Sequence, residues 1–254
     1  MQEPEHIVAE LEKTAALPAS EDECFAGYGA AQTFAGGEVL CLRRWPASSI
    51  GPAYTSIWHR NAAGQWTFVQ DAAPSQACSR YFGAAIAQLL TDEIRIDWSG
   101  PRQFRVIATG TYAVDWRASV SSTAATRVLN AVAAALPRAF WRSECALQSV
   151  SAAARLVLGS GRLNLTGVVP NGQRFISNPS LMWTIVSSEA TVCGRSLGPV
   201  GPLPAQARLA DIWIPQRGQF FVGRAFLEPF DPSRHSSVTS QHAVEMSAGA
   251  RPSL

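Results

Sequence analysis

Short runs in which every second residue is apolar recur along most of this chain, and they point to a β-rich fold before any other consideration. A period of two places alternate side chains on opposite faces of a strand, whereas an amphipathic helix needs a period near 3.6. Ile94, Ile96 and Trp98 alternate with Glu93, Arg95 and Asp97 in this way. Tyr112, Val114, Trp116, Ala118 and Val120 likewise oppose Asp115 and Arg117. One face of each run is apolar and the other wet, the habit of antiparallel sheets. Turn residues punctuate the runs: AsnAlaAlaGly (61–64), SerGlyProArg (99–102) and AsnGly (171–172).

Roughly ten short strands can be read along the chain, mostly linked by hairpins. An alanine-rich stretch over about 123–158, divided at Pro137, interrupts them and predicts a pair of helices. Residues 4–16 carry Ile7, Val8, Leu11 and Ala15 at helical spacing between Pro4 and Pro18, which predicts an N-terminal helix. Residues 78–90 also read as helical, with Tyr81, Phe82, Ala85, Ile86 and Leu89 on one side. Residues 232–254 are polar and patternless and read as a disordered tail after one domain spanning 1–231. The expectation is a mainly β (α+β) fold, an antiparallel β-barrel with a helical insertion. GlySerGly (159–161) precedes a strand rather than opening a helix after one, so it is no dinucleotide fingerprint.

With 254 residues and a net charge of +2, the chain has core to spare and no electrostatic footprint for nucleic acid. Its single lysine, Lys13, lies in the polar N-terminal stretch, which excludes Schiff-base chemistry, a pyridoxal phosphate anchor and a phosphate-loop lysine. Five cysteines (Cys24, Cys41, Cys78, Cys145, Cys193), odd in number and without a CxxC pair, argue against a disulfide scaffold and a structural zinc. The acidic N-terminus does not read as a signal peptide, and no apolar run approaches the length of about 18 residues that marks a membrane helix. A cytoplasmic location with no membrane span is expected. The absence of GxSxG and HExxH motifs removes most hydrolases and zinc enzymes by motif.

The segment Arg208–Glu228 combines charge with large apolar side chains. It reads as a hairpin of 208–214 and 219–228 joined by ProGlnArgGly (215–218). If Ile214 faces Gln219, Asp211 and Arg224 share an apolar face with Leu209, Trp213, Phe220, Val222 and Phe226. Buried charge is costly unless paired or required. The pair therefore reads either as a lock fixing strand register or as a polar anchor and proton donor in an apolar pocket. His59 shares a strand face with Thr55 and Ile57 and could serve as a general acid or base; a hydrogen-bonded structural histidine is the plainer reading. Asp97 and Asp115 fall on polar faces beside Arg95 and Arg117, as solvated cross-strand partners. Trp98 and Trp116 read as core. Trp58, Trp213 and Trp183, with Tyr54, Phe220 and Phe226, are candidate walls for a flat apolar ligand.

The run SerIleTrpHisArgAsnAlaAlaGlyGlnTrpThrPhe (56–68), in a many-stranded and lysine-poor chain, resembles lipocalin-like (calycin) proteins related to carotenoid 1,2-hydratase and natural-product pericyclic cyclases. That resemblance implies a lipocalin-like antiparallel barrel. It also implies a cofactor-independent enzyme of secondary or isoprenoid metabolism that hydrates, isomerises or cyclises a hydrophobic small molecule in a barrel pocket. Asp211, Arg224 and His59 would be its catalytic groups, with no metal. The helical insertion departs from a simple lipocalin. The alternative is a non-catalytic carrier for a hydrophobic small molecule, and a homodimer is compatible with either.

Overall fold

The computed structural model describes residues 3–137 and 140–236. Strands β1 (Glu23–Thr33), β2 (Val39–Ser48), β3 (Tyr54–Arg60) and β4 (Trp66–Gln70) form an antiparallel meander. A crossover carrying the short helix α2 (Ser79–Phe82) returns the chain to β5 (Gln88–Thr91), which runs parallel to β4. A second antiparallel meander follows in β6 (Ile94–Gly100), β7 (Gln103–Ala108) and β8 (Val114–Ser121). Helices α3 (Ala124–Ala135) and α4 (Glu144–Leu158) then lead to β9 (Thr166–Val168) and the 19-residue β10 (Arg174–Val192). Short β11 (Arg195–Ser196) pairs with the end of β10, and β12 (Arg208–Leu209) pairs only with β13 (Ile212–Trp213). The last strand, β14 (Gln219–Leu227), lies between β1 and β10 and so joins the two meanders.

The resulting sheet has the order β5-β4-β3-β2-β1-β14-β10-β8-β7-β6. It is mixed and curls into a half-barrel that is not closed: no ladder links β5 to β6, although only Asp92 and Glu93 separate them in the chain. The inner face is a solid core built by strands from both halves, with Leu42, Ile57, Val106, Trp116, Trp183 and Phe220 at its centre. Helix α1 (Pro4–Thr14) covers it, with Val8 buried and Ile7 and Leu11 packed alongside. Glu12 pins that helix, accepting from Arg44 at 3.0 and 2.8 Å and from Tyr28 at 3.0 Å. The outer face of β1–β4 carries a second apolar cluster, including Cys41, Tyr54, Trp58 and Phe68, which packs against α2 and the chain around Leu203–Ile214.

Several expectations need correction. The barrel is neither closed nor wholly antiparallel, because the link from β4 to β5 is a crossover rather than a hairpin and turns β5 to run with β4. Only Ser79–Phe82 of the expected helix over 78–90 is α-helical, followed by a 3-10 turn. Ile86 is already extended, and Leu89 and Leu90 join the β4 ladder, so sheet pairing overrides the helical pattern. The expected hairpin over 208–228 does not form. Ala210, with φ of 48°, turns the chain early so that Arg208 faces Trp213, while both edges of β14 are occupied by β1 and β10.

The helical pair does form: Thr123 caps α3 in a capping box, and Gly159 ends α4 at φ 59°. Past β14 the chain reaches buried His235, whose Nε2 lies 3.0 Å from Glu228 Oε1. Residues 237–254, with His242, lie outside the described residues. Among the described residues, no helix is long and apolar enough to cross a membrane.

Candidate functional site

Strand alternation sends Cys41, Arg43 and Trp45 of β2 to the outer face, and Leu40, Leu42 and Arg44 to the inner one. Across the ladder, Arg43 faces Ser56, and Trp58 faces Cys41. Over this outer face lies a cavity of about 220 Å³, with β1, β2, β3 and β14 beneath it and residues of α3, α4 and Ile212–Pro215 around it. Gly29 of β1 lets Arg43 and Phe221 approach the strand closely. A Cβ there would stand 2.5 Å from the Leu42 carbonyl oxygen, 2.9 Å from Phe221 Cζ and 3.0 Å from Arg43 Nη1.

Arg43 dominates the chemistry of the cavity. Its Nη1 donates to the Leu42 carbonyl at 2.9 Å and, at 3.5 Å, to that of Ala30. Its guanidinium carbon lies 4.8 Å from the Trp58 ring centre and 4.9 Å from that of Phe221. Trp58 is held in turn, stacked on Phe68 at 4.7 Å and donating its indole N–H to Ser56 Oγ at 2.9 Å. Among the described residues Arg43 has no ion-pair partner, and no Asp, Glu or His lines the cavity. Burial lowers its pKa from the ordinary arginine value, yet a guanidinium stays charged in proteins. Each cation–π contact is worth about 0.5–2 kcal/mol, whereas desolvating an unpaired ion costs several kcal/mol. Arg43 is only half-buried, so it keeps part of its hydration, and the rings and the two carbonyls share the rest of that cost; its charge is not matched by a carboxylate among the described residues.

Apart from exposed Arg224 at the rim, the remaining polar groups are neutral. Tyr54 Oη and Cys78 Sγ are 3.5 Å apart, and burial raises the pKa of both. Burial also pushes the Cys41 thiol up to about 11. Asn130 is occupied, exchanging hydrogen bonds with the Met182 backbone at 3.1 and 2.8 Å. Among the described residues, no group of three His, Cys, Asp or Glu side chains is arranged to hold a metal.

The residues singled out from sequence are distributed over three places. Tyr54, Trp58 and Trp213 border the cavity, with exposed Arg224 at its edge. Trp183 and Phe220 lie on the opposite face in the inner core, their ring centres 5.9 Å apart. Phe226 pairs with Cys24 and Ile176 in the ladder and does not line the cavity. Asp211 accepts from the Val168 amide at 2.9 Å, Arg224 sits opposite Ala26 and Asn178, and no ion pair among the described residues joins the two.

His59 lies on the inner face, away from the cavity lining. Its Nε2 is 2.9 Å from Glu38 and its Nδ1 2.6 Å from the Tyr112 hydroxyl. Burial lowers the His59 pKa against the opposing pull of Glu38, so the ring is neutral, donating to the carboxylate and accepting from Tyr112. Arg195 closes the cluster on Glu38 at 2.6 and 3.0 Å. Asp97 and Asp115 pair with arginines on the wet face, as their alternation predicts.

Arg43 was not singled out from sequence, although a signal was present. GluValLeuCysLeuArgArgTrp (38–45) is apolar on both faces, so each of its two arginines must enter an apolar face. Arg44 finds Glu12; Arg43 finds rings.

No family model matches the chain, and no curated protein matches it. Among solved structures it is similar to an acetoacetate decarboxylase from Legionella pneumophila, at 12% identity and a TM-score of 0.42 over 91% of this chain and 95% of that one. It is also similar to a structure described as acetoacetate decarboxylase, at 10% identity and a TM-score of 0.41 over 90% of this chain and 96% of that one. Likenesses at this level carry no conclusion about this chain's chemistry.

Proposed function

We propose that this protein binds an apolar small molecule bearing one anionic group, with the anion on Arg43 and the apolar body against the surrounding aromatic rings. The observation that carries this reading is the Arg43 guanidinium, without an ion-pair partner among the described residues, held between Trp58 and Phe221 in a mainly apolar cavity. This reading keeps the hydrophobic ligand expected from the sequence but proposes the outer face for it, because the inner face is packed with side chains. Titration with short aryl carboxylates, followed by tryptophan fluorescence, tests it. The carboxylates bind, their methyl esters bind at least tenfold more weakly, and equal affinity for acid and ester would overturn the assignment.

A second reading, an enzyme, rests on Tyr54. Its hydroxyl remains protonated and lines the same cavity as Arg43, so the two could stabilise an oxyanion developing on a bound substrate during hydration, isomerisation or cyclisation. Tyr54→Phe would then lower kcat while leaving ligand affinity within about twofold, a split that a carrier cannot show.

A further inference from the structure

Gln219 presents a second polar contact to the same cavity. It is only 1% exposed and lines the cavity at the start of β14, where Ala31 and Thr184 flank it in the two ladders. Its Nε2 donates to Ser160 Oγ at 3.3 Å, and Ser160 Oγ donates in turn to the Leu158 carbonyl at 3.4 Å. Because the serine proton is engaged there, the serine oxygen must accept, which fixes the amide with its oxygen on the other side. That oxygen, Oε1, is buried and has no hydrogen-bond partner among the described residues. Buried carbonyl oxygens are nearly always paired, so this one calls for a donor from outside the chain.

The strand sets the spacing between the two anchors. Phe221, on which Arg43 lies, and Gln219 are alternate residues of β14 and so share a face about 7 Å apart. Size narrows the ligand further. An apolar cavity of about 150 Å³ takes benzene. This one, about 220 Å³, leaves room for a ring with short substituents.

Building on the anion-binding reading above, we propose that the ligand is a monocyclic hydroxy acid. Its carboxylate sits on Arg43, its ring against Trp58 and Phe221, and its hydroxyl, at the far side of the ring, donates to Gln219 Oε1. Specificity for the hydroxyl then belongs to Gln219, and affinity for the acid to Arg43.

Calorimetric titration of the whole chain with matched probes tests this: 4-hydroxyphenylacetate, phenylacetate and 4-methoxyphenylacetate. The hydroxy acid is expected to bind at least fivefold tighter than phenylacetate, and the methoxy acid, which cannot donate, no tighter than phenylacetate. Gln219→Met should erase the preference, bringing the affinities for the hydroxy acid and phenylacetate within twofold of each other. Equal binding of the hydroxy acid and phenylacetate by the wild-type protein overturns the hydroxy-acid inference and leaves acid binding standing; no binding of any acid overturns both. A hydroxyl preference that persists in Gln219→Met overturns the assignment to Gln219. Should that variant fail to fold, the wild-type comparison decides alone.

Discussion

Arg43 and Trp58 meet face to face, guanidinium over indole at 4.8 Å, on neighbouring strands whose apolar sides would otherwise be continuous. The contact keeps a charge in an apolar setting without a carboxylate, and it separates what stabilises this fold from what the fold can bind.

Replacing Arg43 with Met removes a partly desolvated charge and keeps an unbranched stem over the same rings. The variant should match or exceed the wild-type thermal midpoint, because buried charges replaced by apolar groups of similar volume are often neutral or stabilising. Binding of aryl carboxylates should fall at least tenfold, consistent with about 1.5–3 kcal/mol for a charge-assisted hydrogen bond. Calorimetry on both counts checks it, and a clear drop in midpoint would assign Arg43 a structural role instead.

Gly29→Ala should destabilise the protein by about 1–3 kcal/mol in urea titration, the range for forcing atoms into packed space. The new methyl meets a backbone carbonyl, Leu42 O, at 2.5 Å, which cannot rotate aside as a side chain could. The same methyl would lift Arg43 and Phe221, so acid affinity should fall together with stability. Unchanged stability would mean that β1 and β2 separate freely at this point.

Stability should decline as pH falls from about 6.5 into the carboxylate range. Burial depresses the folded-state pKa of His59, so below about 6.5 the unfolded chain binds the extra proton and folding is disfavoured until the folded pKa is passed. Glu38 acts in the same direction at lower pH. Burial would raise its pKa, but hydrogen bonds from Arg195 and His59 hold it below the usual value, and its contribution disappears as acid protonates it. His59→Gln should flatten the upper part of this slope in denaturation measured from pH 7.5 to 5. A wild-type-like slope in that variant would place the titrating group elsewhere.

Glu12→Ala should leave the half-barrel folded but loosen α1, because Glu12 supplies the acceptors for both Arg44 and Tyr28. The expected loss is about 1 kcal/mol, typical of a partly exposed ion pair with an added hydrogen bond. Amide exchange should accelerate in residues 4–14 and not in β2. Uniform acceleration would make the helix part of the global fold.

What the sequence revealed was local. Alternation placed Tyr54, Ser56 and Trp58 opposite Thr55, Ile57 and His59, which is how β3 divides them between the two faces. It also found the meander β6–β8 and, with Pro137, the helical pair. The partners of β14 were not legible, because a strand paired on both edges carries no mark of its neighbours, and here they lie near residue 30 and near residue 180. The pairing of Asp211 with Arg224 depended on a four-residue turn that Ala210 pre-empts. The cavity was illegible for a related reason: its lining is gathered from segments scattered between residues 25 and 227.

The two faces of β1, β2, β3 and β14 have a consequence for how such a protein can change. Side chains that shape the cavity and side chains that fill the inner core alternate on the same backbone, so neighbouring codons answer to different selective pressures. Exchanging half-buried Phe221 for another residue redraws the cavity wall and leaves the packing of Phe220 in place, whereas Trp58 is itself part of the outer apolar cluster. A single substitution at Phe221 can therefore reshape the cavity while the inner core keeps its packing.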